Sequence, residues 1–103
     1  MRFARRTDDN HQDLVRQLRQ LGVWVESLAS VGNGMPDLIA ATHTDKCFVL
    51  LEVKDPTKKP SAQRLTSAEA KFHAACPGPV HVVRNLEEAV EALFPVSRGK
   101  EAS

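Results

Sequence analysis

Met35-Pro36-Asp37-Leu38-Ile39 and, after a polar connection, Cys47-Phe48-Val49-Leu50-Leu51-Glu52-Val53-Lys54 decide the reading of this chain. Leu38 to Ala41 and Cys47 to Val53 read as two strands, joined by the polar stretch Thr42 to Lys46. A hairpin symmetric about a midpoint between Thr44 and Asp45 sets Asp37 opposite Glu52 on neighbouring strands. Directly opposed residues point to one face, with Cβ atoms about 4.5–5.5 Å apart. Two carboxylates that close repel each other unless a cation lies between them. Strand alternation returns Lys54 to the face of Glu52, while Val53 points the other way, into the core. A one-residue slip would turn Asp37 to the opposite face, so the whole constellation depends on this register.

Working outward, Leu14, Val15, Leu18 and Leu21 follow helical spacing. Asp9 with Gln12 forms a capping box at the start of this helix, and Gly22 ends it. Val23 to Val31 reads as a strand or extended segment with Trp24 in the core, and Gly32-Asn33-Gly34 as a turn. The run Cys47 to Leu51 is continuously apolar, as expected of a central strand buried on both faces. Asp55-Pro56 stops it, because proline has no N–H for the ladder. Residues 55–64 form a loop. Thr66 and Glu69 make a capping box for a second helix, which Pro77-Gly78-Pro79 breaks. Val80 to Arg84 is a short strand, and Asn85 with Glu88 caps a last helix through Leu93 and Phe94 that Pro95 ends. The expected order is αβββαβα, an α/β domain with a mixed central sheet flanked by helices. A basic arm (1–7) precedes the domain (8–94), and a flexible tail (95–103) follows it.

The chain has 103 residues, a formal net charge of +1 and ordinary apolar content, which suits one small soluble domain. A net charge this low argues against a strongly basic nucleic-acid binder without excluding one, because positive charge is concentrated locally. Arg2, Arg5 and Arg6 lie in the arm, and Lys54, Lys58, Lys59 and Arg64 flank or occupy the 55–64 loop. Cys47 and Cys76 lack partners at zinc-ligand spacing and read as small core residues in a reducing compartment. His11, His43, His73 and His81 are scattered, so a structural zinc site is not expected. No run approaches a membrane span or a signal-peptide core, and the expected location is the cytoplasm. Phosphate-binding loops, dinucleotide fingerprints and Gly-x-Ser-x-Gly elbows are all missing.

Pro36-Asp37 followed by Glu52-Val53-Lys54 within this order of elements resembles the PD-(D/E)XK nuclease superfamily. The short chain and the run Gly34 to Ile39 look like its small stand-alone VRR-NUC and Holliday-junction-resolvase-like members, often phage-encoded. The resemblance spans roughly residues 8–94 and implies a restriction-endonuclease-like αβββαβ core with a C-terminal helix. It also implies a divalent-metal-dependent endonuclease that hydrolyses DNA. Asp37, Glu52 and the Val53 carbonyl would hold Mg²⁺ or Mn²⁺, and Lys54 would be the catalytic lysine. Relatives carry a further acid in the first helix, for which Asp13 is the best match and Asp9 the fallback. They also place a Gln on the helix after the Glu-x-Lys strand. Here that position carries Glu69, already explained as a helix cap, and Gln63 is the nearby substitute. Val82-Val83-Arg84 resembles the family's valine-arginine strand, with Asn85 in place of a second arginine.

DNA would be gripped by Arg5, Arg6, Lys58, Lys59, Arg64 and Gln63. So small a domain implies a homodimer, whose two sites would suit a four-way junction. The alternatives are a nicking or restriction-like enzyme on duplex or flap DNA, a catalytically silent nucleic-acid-binding domain of the same fold, and a metal-free interaction module.

Overall fold

The computed structural model describes residues 9–44 and 46–94, apart from the side chain of Asp9. The basic arm with Arg5 and Arg6, the 95–103 tail, the Pro95 stop and the Asp9–Gln12 capping box therefore lie outside the described residues. The elements run α1 (Asp9–Gln20), β1 (Trp24–Ser27), β2 (Leu38–Ala41), β3 (Phe48–Val53), α2 (Pro60–Gln63), α3 (Ser67–Ala75), β4 (Val80–Val83) and α4 (Leu86–Leu93). One four-stranded mixed sheet has the order β1-β2-β3-β4. The first three strands are antiparallel neighbours, and β4 returns parallel to β3 after a crossover through α2 and α3. This is the expected α/β class, with one added element: Pro60, well suited to a first helical position, opens a single turn inside the Lys-rich loop.

Local chemistry explains the element ends. At the end of α1 the Gly22 N–H bonds the Arg19 carbonyl and the Val23 N–H reaches back to Leu18. That is a Schellman closure, made possible by Gly22 at φ 87° and completed by Leu18 and Val23 together in the core. At the start of α3 the Thr66 hydroxyl accepts from the Glu69 N–H, and the Glu69 carboxylate accepts from the Thr66 N–H. At α4 only half of a box forms. Asn85 accepts from the Glu88 N–H, but the Glu88 carboxylate turns to the Arg84 N–H and guanidinium.

The hairpin register is the one required above: Leu38 pairs with Leu51, Ile39 with Leu50, Ala40 with Val49 and Ala41 with Phe48. Leu38, Ala40, Leu51 and Val53 face one side of the sheet, where Leu14 and Leu18 of α1 and Ala89 and Leu93 of α4 complete the core. The other face is covered unevenly, which corrects three expectations. Trp24 is 42% exposed rather than core, and Phe48 is 60% exposed. Their rings meet edge-on at 5.9 Å over the β2 residue that pairs with both, Ala41. β3 is central, yet burial on both faces holds only for Leu51-Glu52-Val53, and exposure rises toward Phe48 at the hairpin end. Cys47, at that end, is exposed, and Cys76 is half-buried; both are free thiols. No described helix is long and apolar enough to cross a membrane.

Gly34, at φ 81°, presses against the first turn of α3. A Cβ there would lie 2.3 Å from the Ala68 carbonyl oxygen. Backbone strain and a main-chain clash coincide at one atom, so Gly34→Ala is expected to cost about 2 kcal/mol or more. Urea unfolding of the two proteins checks this; equal midpoints would contradict the close approach of the loop and α3.

Candidate active site

The end of the β2–β3 hairpin carries the predicted charges. Pro36 is buried, and the Asp37 carbonyl accepts the Leu28 N–H, which fixes Asp37 between β1 and β3. One step beyond the Leu38–Leu51 pair, Asp37 falls opposite Glu52. Its carboxylate accepts the Val53 N–H at 2.8 Å, so it lies against the β3 backbone rather than in solvent. Glu52 is only 2% exposed, and its Oε1 is buried without a hydrogen-bond partner. The Lys54 ammonium, on a side chain only 11% exposed, stands 3.6 Å from Glu52 Oε2 and 3.0 Å from Glu69 Oε1.

These charges are strongly linked. Burial, then the negative charges of Asp37 and Glu69, push the Glu52 carboxyl from its ordinary 4.5 up to about 8, against the opposing pull of Lys54. Burial by itself would lower the Lys54 ammonium. The hydrogen bond and charge of Glu69, with the charges of Glu52 and Asp37, outweigh it and hold Lys54 above its usual range. Burial would likewise raise Glu69, but the Thr66 N–H and Lys54 prevail and hold it low. At neutral pH the cluster thus keeps a protonated lysine, an ionised Glu69 and a Glu52 that is largely protonated.

Asp37, Glu52 and Lys54 are brought together as expected. Asp13 is placed differently: its side chain is 55% exposed on α1 and pairs with Arg16 at 2.9 Å. The hydrogen bonds and charge interactions of the cluster do not include it. Lys58, Lys59 and Arg64 are exposed around α2. Gln63 is occupied in holding that loop, donating to the Lys58 and Pro56 carbonyls and accepting from Arg84 Nε at 3.3 Å. Arg84 follows β4 at the same end of the sheet, where the Lys54 N–H bonds the Val83 carbonyl.

Two contributors are not visible as site residues in the sequence. Glu69 looks fully accounted for as a helix cap, yet the same carboxylate oxygen also holds Lys54. Asn10, an ordinary first-turn polar residue, donates to the carbonyls of both Lys54 and Arg84 and clips the ends of β3 and β4 together. Only the Gln expected at the position of Glu69 could have pointed to the first; nothing local signals the second.

The residues suit a hard divalent cation. Among the described residues no group of three or more His, Cys, Asp and Glu side chains is set to hold a metal. Two carboxylates with a buried, unpartnered oxygen remain, and Mg²⁺ commonly takes one or two carboxylates and fills its shell with water and phosphate oxygens. Comparison with protein-family models, with curated proteins and with solved structures gives no match to this chain.

Because Glu52 holds its proton more tightly in the fold than its ordinary 4.5, the folded state binds more protons between about pH 4.5 and 8. Stability without metal is therefore complete below that window and falls as pH rises through it. Thermal melts in chelator should show Tm falling from pH 5 to pH 8. Glu52→Gln should flatten that slope and stabilise the protein at pH 8 by about 1–3 kcal/mol. A slope that survives the substitution would exonerate Glu52.

Proposed function

We propose that this chain is a divalent-metal-dependent endonuclease of the PD-(D/E)XK type, with a restriction-endonuclease-like core, that hydrolyses DNA phosphodiester bonds in branched DNA such as a Holliday junction. The observation that carries this reading is the pairing of half-buried Asp37 with buried Glu52, facing across a hairpin with a lysine ammonium beside them. An Asp and a Glu forced together cost stability, and a cation relieves that cost.

Asp37 and Glu52 would hold Mg²⁺ or Mn²⁺ with the Val53 carbonyl. Bound there, the cation would supply an acidified water and neutralise charge on the phosphate. The side chains do the rest. Asp37 and Glu52 enter from two strands, so the hairpin register fixes their separation. Lys54 stays protonated and offers a positive charge beside the carboxylates, suited to a developing negative charge on phosphate. The exposed Lys58, Lys59 and Arg64 lie on the segment that follows Lys54 and extend positive charge away from the site along a DNA backbone. Arg5 and Arg6 would add to that grip. A homodimer would present two such sites to the two strands of a junction.

A gel assay tests the reading with a labelled four-way junction, a flap, single strands and linear duplex, each with Mg²⁺ or Mn²⁺. Paired symmetric cuts in the junction are expected, with Lys54→Ala about 10²–10³-fold slower. Asp37→Ala should be inactive while remaining folded by circular dichroism. Cleavage confined to flap or duplex would retain the chemistry and replace the junction by an ordinary nicking role. Tight metal-independent DNA binding without any cleavage would favour a silent binding domain.

A further inference from the structure

We infer that Glu69 is a positioning residue that holds the Lys54 ammonium off the Asp37–Glu52 carboxylates and so leaves them open to a cation. The kinetic consequence rests on the nuclease reading above; where Lys54 sits does not. The position of Lys54 is a competition between anions. Its nitrogen is closer to Glu69 Oε1, at 3.0 Å, than to Glu52 Oε2, at 3.6 Å. A lysine stem has four flexible bonds and a compact charge, so nothing within the side chain itself fixes that choice. Without Glu69, the nearest carboxyl is Glu52, already within 3.6 Å and free to draw the ammonium closer. An ammonium seated there occupies an oxygen that a divalent cation needs.

Glu69 is able to win this competition because it is itself immobilised. The oxygen that accepts from Lys54 also accepts the Thr66 N–H at 2.9 Å, and the Glu69 N–H is bound by the Thr66 hydroxyl. The turn carrying them abuts Gly34, three residues before Asp37 in the chain, so the anchor is set by the loop that also delivers the first carboxylate. Helix capping and lysine placement are one piece of geometry. A cap alone would need neither a half-buried carboxylate nor its contact with Lys54.

The test uses Glu69→Ala, Glu69→Gln and Thr66→Ala, the first also in a Lys54→Ala background. Lys54 is followed by its side-chain ¹⁵Nζ resonance and Mn²⁺ affinity by calorimetry. The Lys54 signal, sharp in the wild type because the ammonium is held, is expected to be lost in Glu69→Ala. It should persist in Thr66→Ala, which keeps the backbone N–H that grips Glu69 and lowers only Tm. Glu69→Ala should weaken Mn²⁺ about tenfold, yet less than about twofold when Lys54 is already alanine, because the competitor is then gone. Glu69→Gln, whose amide oxygen still accepts from both donors, should restore affinity to within about threefold of wild type. An unchanged Lys54 signal in Glu69→Ala, or equal losses of Mn²⁺ affinity in both backgrounds, overturns the positioning role. Loss of the signal in a protein whose wild type neither binds Mn²⁺ nor cuts DNA would uphold the position of Lys54 and remove the nuclease reading instead.

Discussion

Burial of one carboxyl group beside a second at the end of a hairpin is the constraint around which this small domain is arranged. Asp37 and Glu52 are opposed by register, and Glu52 is buried with one oxygen unpartnered. Burying such a group costs free energy, and replacing it with an apolar residue is the ordinary route to a more stable core. The fold instead surrounds the pair with partial compensation: the Val53 N–H on Asp37 and the Lys54 ammonium near Glu52. Compensation is only partial, because the Lys54 ammonium lies nearer Glu69 than Glu52.

Several elements remote from one another in sequence converge to maintain this arrangement. Leu28, just after β1, fixes Asp37 through its N–H, α1 clips the ends of β3 and β4 through Asn10, and α3 supplies Glu69 from its capping turn. Gly34 allows α3 to come this close. The covered face of the sheet supplies rigidity through Leu14, Leu18, Leu38, Leu51, Val53 and Leu93, while the charged cluster sits on the face that the helices cover incompletely. A site built on strand ends and one helix turn, with few mobile parts, suits positioned electrostatics better than induced closure.

The legible parts were those governed by short-range rules. The strand register followed from loop symmetry, because a hairpin connection pins its own strands. The Thr66–Glu69 box and the Gly22 stop were visible because capping is a matter of residues three or four positions apart. Trp24 and Phe48 are exposed despite their apolar character, because that character says a side chain prefers burial, not whether a helix lies above it. The capping role of Glu69 is legible but its contact with Lys54 is not, because that contact joins residues from separate elements, and Asn10 carries no local mark of partners forty-four and seventy-four residues away.

From sequence alone, then, come the α/β class, the element order, the helix ends and the opposition of Asp37 and Glu52 with Lys54 on the same face. All depend on periodicity and nearby hydrogen bonds. Only the tertiary structure decided how deeply Glu52 is buried, which anion holds Lys54, that Asp13 points to Arg16, and which side of the sheet stays open. Those depend on where α1, α3 and α4 pack, and packing is set by many distant contacts acting together, which no local stretch of the chain encodes.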